Sequence, residues 1–304
     1  MGADMRIVIT GATGTIGAAV TSALRERGDE PVALTRDASR GRERLGVEAH
    51  EWDASGPPPA EALRGAGAVV HLLGERIDQR WTDDAKRRIR ASRVDSTRAL
   101  VAGLRALPEA DRPKTLVSQS AGGFYGARGD EPVDEDAAAG DDFLAEVVVA
   151  WEREARAAED VMRVVCMRTG VVLSPSGGAL SKMLPFFKLG VGGPVAGGRQ
   201  YVPWVHLDDV VTGILRCLDD ERAAGPVNLV APDAVTNAEL SKGLGRVLCR
   251  PALLPVPGLA VKLLYGEMAF VVTSGQRIVP ARLQELDHEF RHRELEPALR
   301  DVLG

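Results

Sequence analysis

Three glycines spaced three residues apart, Gly11, Gly14 and Gly17, stand in the run TGATGTIG at residues 10–17, and what they can do is hold a diphosphate. A tight turn needs a residue without a Cβ, and an anion approaches the backbone closely only over glycine. A helix N-terminus adds free N–H groups and a partial positive charge. Thr13, Thr15 and Ile16 lie between the glycines and are expected to line the same ligand. The run follows the apolar segment RIVIT and opens a helical pattern, the strand–turn–helix context of dinucleotide binding. The next apolar segment ends in Leu34-Thr35-Arg36-Asp37. A guanidinium there pairs with a 2′-phosphate and stacks on adenine, and Thr35 can donate to the same phosphate, so NADP(H) is the expected cofactor. Asp37, twenty residues after Gly17, is the alternative as a ribose-binding acid, although its register places it past the strand end. Asp53 is a candidate neighbour of adenine, with capping or a surface role as the alternative.

These residues need a parallel sheet to position them. Arg6 to Thr10, Pro31 to Thr35, Ala68 to Leu73, Lys114 to Ser120, Met162 to Arg168 and Pro226 to Val230 are short and apolar on both faces, as buried parallel strands are. Helical periodicity runs over Ala18 to Arg27, Thr82 to Leu107, Asp141 to Glu159 and Leu207 to Leu218. The alternation predicts an α/β fold, a Rossmann-like doubly wound parallel sheet. Residues 1–173 and 204–232 are assigned to this cofactor domain. The Gly- and Pro-rich stretch 174–203 cannot be one continuous helix or a central strand. With 233–304, which carries helical segments at Asn237 to Leu248 and Glu294 to Leu303, it is expected to form a small C-terminal substrate-binding cap.

The 304 residues carry 38 basic and 43 acidic side chains, a net charge of -5 that disfavours nucleic acid or an anionic membrane as chief partner. The expected partner is a small-molecule substrate. Apolar residues at 45% exclude disorder as the main state. Cys166, Cys217 and Cys249 are odd in number and far apart, which argues against a disulfide framework. The N-terminus lacks a basic segment followed by a long apolar one, and no apolar run approaches a membrane span, so the expected location is cytoplasmic.

The TGATGTIG turn, HLLGE at His71 to Glu75, SQSAGGFYG at 118–126 and RTGVVLSPSGGAL at 168–180 together resemble the extended short-chain dehydrogenase/reductase superfamily. DDFLAEVVVAWE (141–152), PFFKLGVGGPVAGGRQYVPWVHLDDVV (185–211) and SGQRIVPARL (274–283) are similar to its atypical epimerase-family branch. The resemblance covers nearly the whole chain. It implies that Leu72, Gly74 and Glu75 border the cofactor at a strand end and that Arg168 lies near the nicotinamide half. The superfamily works with a serine and a Tyr-x-x-x-Lys pair, in which the phenol exchanges a proton with substrate. Four residues after Tyr125, Tyr201 and Tyr265 stand Gly129, Val205 and Ala269, so no such pair exists. Phe143 and Val147 occupy the expected place. Ser120 matches the serine, and either it or Ser118 can bond a substrate oxygen or the nicotinamide amide. Of the remaining proton sources, Tyr125 ranks before Glu146, Tyr201, His206 and Asp208, because it leaves the strand that carries Ser120. Packing beneath the cap is its alternative role. The chain is thus expected to be an oxidoreductase or epimerase acting on a small carbonyl or hydroxyl compound, or else a non-catalytic NADP(H)-binding sensor or scaffold.

Three further patterns point elsewhere. HEFRH at 288–292 matches a zinc-protease motif, but it lies near the chain end with no third ligand after it and looks like a short strand, so no metal is assigned. Lys86, Arg87, Arg88, Arg90, Arg93 and Arg98 lie on one helix whose Ile89, Val94, Leu100, Val101 and Leu104 form a buried face. The basic residues are its solvated side or the surface for a homodimer. Asp208 and Asp209 open a helix and are expected to cap it, with His206 as a hydrogen-bonded structural residue.

Overall fold

The computed structural model describes residues 5–175 and 177–304. The first four residues, included in the N-terminal reading, and Ser176 of RTGVVLSPSGGAL lie outside the described residues. Seven strands form one parallel sheet: β1 (Arg6–Thr10), β2 (Glu30–Thr35), β3 (Glu48–Glu51), β4 (Ala68–His71), β5 (Thr115–Ala121), β6 (Arg163–Thr169) and β7 (Gly225–Leu229). Their order is β7-β6-β5-β4-β1-β2-β3, with Ile7 of β1 opposite both Pro31 and Ala68. The sheet is the doubly wound kind whose strand order reverses beside β1, and ligands bind outside the carboxyl ends of the strands at that switch point.

The apolar runs predicted six of these strands to within two residues at each end. The exception is β3, whose EAHE buries only Ala49 because it is an edge strand. Helices cover both faces: α1 (Thr15–Arg27), α2 (Ala38–Leu45), α3 (Asp83–Ala106) and α4 (Phe143–Arg156), followed by α5 (Gly178–Lys188), α6 (Leu207–Asp219), α7 (Asn237–Val247), α8 (Gly258–Tyr265) and α9 (Leu295–Leu303). One core joins Ile7, Ile9 and Val70 to Val20 and Leu24 of α1 and Ile214 of α6. Another, on the opposite face, joins Val8, Val69 and Leu116 to Leu100 and Leu104 of α3.

Within 174–203 an eleven-residue helix, α5, forms around Pro185, giving up the hydrogen bond that proline cannot donate. Its Leu184 and Phe187 pack with Trp204, Leu240, Leu244 and Leu299, so the late segments share a core of their own. Leu283, Leu286 and Phe290 instead join the core of the main sheet. Among the described residues no helix is long and apolar enough to cross a membrane.

Candidate functional site

The glycine turn sits at the switch point. Gly11 has φ +67°, and a Cβ there would stand 2.8 Å from the carbonyl oxygen of Leu72, so this turn and the exit of β4 touch through backbone alone. A Cβ on Gly17 would come 2.3 Å from the Gly11 oxygen, which explains why α1 can begin directly over the turn. Gly14 is the N-cap of α1 and no side chain caps the helix, leaving its first N–H groups available to an anion. Gly14 and Thr15 are exposed, and Thr13 and Ile16 are half-buried beside them. The Leu72 N–H donates to Thr10 Oγ1 at 3.1 Å, fixing the start of the Leu72-to-Glu75 segment against β1. Gly74 is exposed, and Glu75 is held by its N–H on Ser92 Oγ at 2.9 Å.

At the end of β2, Thr35 is half-buried and Arg36 is exposed, with no hydrogen bond or ion pair among the described residues. Asp37 is committed elsewhere: it caps α2, accepting from the Arg40 N–H at 3.0 Å and from the Ser39 hydroxyl at 2.7 Å. Those donors lower its pKa. Asp53 likewise accepts from the N–H and hydroxyl of Ser55, at 2.9 and 2.7 Å. Arg36, directly after the strand, is thus a free cation among the described residues.

A buried histidine braces the same edge. His71 lies between Thr10 Oγ1 (2.7 Å from Nδ1) and Thr97 Oγ1 (2.9 Å from Nε2). Both ring nitrogens are thus hydrogen-bonded to threonine hydroxyls. Burial pushes the His71 pKa from 6.5 down to about 3, so the folded protein keeps the ring neutral where the unfolded chain protonates it. Its stabilisation is complete above pH 6.5 and is lost as the pH falls toward 3. The unfolding free energy is expected to drop by up to about 1.4 kcal/mol per pH unit in that window. Urea unfolding at pH 7 and 4.5 measures this, and a smaller drop in His71→Asn identifies the ring as its source.

The residues expected to be catalytic form a buried network (Ser120 Oγ donates to Glu152 Oε1 at 2.6 Å). Arg168 pairs with both oxygens of Glu152, Nε to Oε1 at 2.8 Å and Nη2 to Oε2 at 2.9 Å. Its Nη1 reaches the Tyr125 hydroxyl at 3.0 Å, and that hydroxyl donates to Asn228 Oδ1 at 2.6 Å. Glu135 closes the far side by accepting from the backbone of Asn228 and Arg282. Tyr125 is 0% and Ser120 1% exposed. The tyrosine packs with Val133, Val230 and Ile278, and burial pushes its phenol up to about 12.

Tyr125, ranked first among the proton sources, is therefore buried with its hydroxyl engaged by Asn228 and Arg168. Arg168, expected near the nicotinamide half, is buried and paired with Glu152. Ser118, expected at the nicotinamide amide, is also buried, with its hydroxyl on the Gln119 carbonyl at 3.3 Å.

Where the superfamily places its phenol and lysine, Phe143 meets Trp81 edge-on at 5.2 Å and Val147 is buried. A different cation stands nearby. The Arg93 guanidinium lies over the Trp151 ring at 5.3 Å, and its Nη2 is 3.1 Å from where a Cβ on Gly74 would be. Among the described residues it donates only to Ile89 O and Ser92 Oγ, and burial pulls its pKa down to about 10. Arg93 was read as part of a basic side that is solvated or faces a second subunit, whereas here it is half-buried with its guanidinium over Trp151. The available signal was helical phase: Arg93 falls four residues after Ile89 and four before Thr97, both buried.

The remaining patterns resolve as structure. HEFRH is neither helix nor strand, because Asp209 accepts from the N–H groups of Arg291 and His292 at 2.7 and 3.0 Å and holds the segment as a loop. Asp209 thus clamps that loop, and the cap of α6 is His206, whose Nδ1 accepts from the Asp208 N–H at 3.1 Å. His206 stacks on His292 at 3.6 Å. With Asp208 and Asp301 these histidines bring ligand-type atoms within 4.8 Å of one another. His206 Nε2 is buried and lies 3.2 Å from Asp301 Oδ2 without a hydrogen-bond partner among the described residues.

Comparison with known proteins matches residues 7–230 to the NAD dependent epimerase/dehydratase family and residues 256–302 to a domain of unknown function, DUF1731. An epimerase family protein SDR39U1 homologue of Arabidopsis thaliana, described as chloroplastic, is 38% identical over 99% of this chain and 87% of its own length. The crystal structure of human epimerase family protein SDR39U1 (isoform 2) with NADPH is 33% identical, with a TM-score of 0.88, covering 98% of this chain and 99% of that one. UDP-glucuronic acid 4-epimerase from Bacillus cereus, solved with UDP-glucuronic acid and NAD, shares the fold at 14% identity and a TM-score of 0.79, covering 98% of this chain and 99% of that one.

Proposed function

The chain belongs to the NAD dependent epimerase/dehydratase family, and on that premise we propose that it binds NADPH at the β1–β4 switch point and acts as an oxidoreductase or epimerase on a carbonyl or hydroxyl compound held beneath the cap. The observation carrying this reading is the coincidence, at one sheet edge, of the open glycine turn, the uncapped N-terminus of α1 and the unpaired Arg36. Gly11 to Gly17 hold the diphosphate, Thr35 and Arg36 the 2′-phosphate, and Leu72, Gly74 and Glu75 border the rest. Arg93 adds a half-buried cation beside Gly74. When bound, NADPH supplies a hydride to an electrophilic carbon. Ser120 and Tyr125 brace the substrate side from below, and the proton for the substrate oxygen comes from water.

Replacing Arg36 with glutamate is expected to weaken NADPH binding by about 10- to 100-fold while leaving NADH nearly unchanged, since only the 2′-phosphate loses its charge-assisted partner. Fluorescence titration of both nucleotides measures this, and equal losses for the two would remove Arg36 from the 2′-phosphate. Turnover is tested with NADPH deuterated at C4 and a panel of carbonyl compounds, where deuterium on product carbon is the expected result. A second reading, cofactor binding without turnover, is favoured by the engagement of Ser120 and Tyr125 in the buried network. Complete retention of the label across the panel would support it instead.

A further inference from the structure

A cleft of about 630 Å³ opens between the N-terminus of α4 and the cap, with Trp81, Phe143, Leu259 and Phe270 among its walls. Phe143 occupies the position where the superfamily has its phenol, so the cleft adjoins the substrate side of the proposed site. Its charged groups are few and mostly engaged. Asp142 caps α4 through the N–H groups of Leu144 and Ala145, and Glu267 is paired with Lys86. Lys262, on the rim, has no hydrogen bond or ion pair among the described residues. Two carboxylates and one free ammonium make poor surroundings for a nucleoside diphosphate, which needs an excess of cations.

The apolar character continues outside the cleft. Of the twelve large hydrophobic side chains exposed in the described residues, all but Val149 lie in 186–191 or 253–272. Leu259, Leu263 and Leu264 of α8 are each at least 70% exposed, so a chain leaving the cleft still rests on apolar surface. Monomeric proteins rarely expose so much apolar surface in one region without a ligand or partner to cover it.

Building on the proposed function, we propose that the substrate is a lipophilic carbonyl compound, with its reacting end toward Phe143 and an aliphatic or prenyl chain along Leu259 and Phe270. Nucleotide sugars are thereby excluded as occupants. Affinity then follows buried hydrocarbon, each added methylene tightening binding a few-fold until the cleft is full.

The test is calorimetric titration of the full chain, with and without NADPH, using 2-pentanone, 2-nonanone, 2-tridecanone and UDP-glucose. Affinity is expected to rise along the ketone series, with no binding of UDP-glucose. Phe270→Glu is expected to weaken 2-tridecanone at least tenfold and leave NADPH titration unchanged. Ketone affinity independent of chain length, or UDP-glucose binding that competes with 2-tridecanone, overturns the proposal. The series uses wild-type protein, so it decides even where the variant fails to fold. NADPH binding without a ketone series defeats this inference alone, whereas a ketone series without NADPH binding defeats the proposed function and leaves the lipophilic cleft standing.

Discussion

Arg168→Met is expected to lower the unfolding free energy by about 3–5 kcal/mol, because it leaves the Glu152 carboxyl buried and without its partner. Glu152 is 6% and Arg168 4% exposed, so water does not substitute for the lost guanidinium. The guanidinium also lies 3.4 Å from the Phe124 ring centroid and donates to the Glu135 carbonyl at 3.1 Å. The double variant Arg168→Met, Glu152→Leu should recover part of the loss, since a buried ion pair replaced by hydrocarbon of similar volume is close to neutral. A residual penalty of about 1–3 kcal/mol remains from the Ser120 hydroxyl, which loses its acceptor. Urea denaturation of the two variants decides the matter. A single variant within about 0.5 kcal/mol of wild type, the range of an ordinary surface substitution, would show that the pair is not a structural brace.

The second large effect separates cofactor binding from folding at the glycine turn. In Gly17→Ala the new methyl meets backbone, 2.3 Å from the Gly11 oxygen and 2.7 Å from the Ala12 Cα, so α1 must shift away from the turn. A loss of about 1–3 kcal/mol in stability is expected, as for other overpacked sites, together with loss of NADPH binding. Gly14→Ala is different. Its Cβ would lie 3.3 Å from the Gly11 oxygen, on an exposed residue with φ -76°, which alanine adopts without strain. Stability should fall by no more than about 1 kcal/mol, from the poorer N-cap. The methyl nevertheless stands where a phosphate approaches the backbone, and NADPH affinity should fall by roughly tenfold or more. Thermal unfolding paired with NADPH titration distinguishes the variants. Unchanged NADPH affinity in Gly14→Ala would place the diphosphate elsewhere.

Taken on its own, the amino-acid order determined what depends on neighbours within a few residues. The glycine turn, the six apolar strands, the helices on either side and the missing Tyr-x-x-x-Lys pair are local patterns, and local backbone sterics and side-chain periodicity decide them. Arg36 was legible for the same reason, since it sits one residue past the end of a predicted strand.

Tertiary structure decided which polar groups stay open. Ser120 and Arg168 are both held by Glu152, 32 and 16 residues away, and Tyr125 by Asn228, 103 residues on. Asp209 holds a loop 82 residues later, and Arg93 turns inward onto Trp151 from a helix rich in arginine. The apolar cleft joins a loop tryptophan, the start of α4 and the late helices. Residue type sets what each group can donate or accept, but burial and partner are set by packing between distant segments, and these decide whether a serine or a tyrosine faces a ligand or supports the floor beneath it.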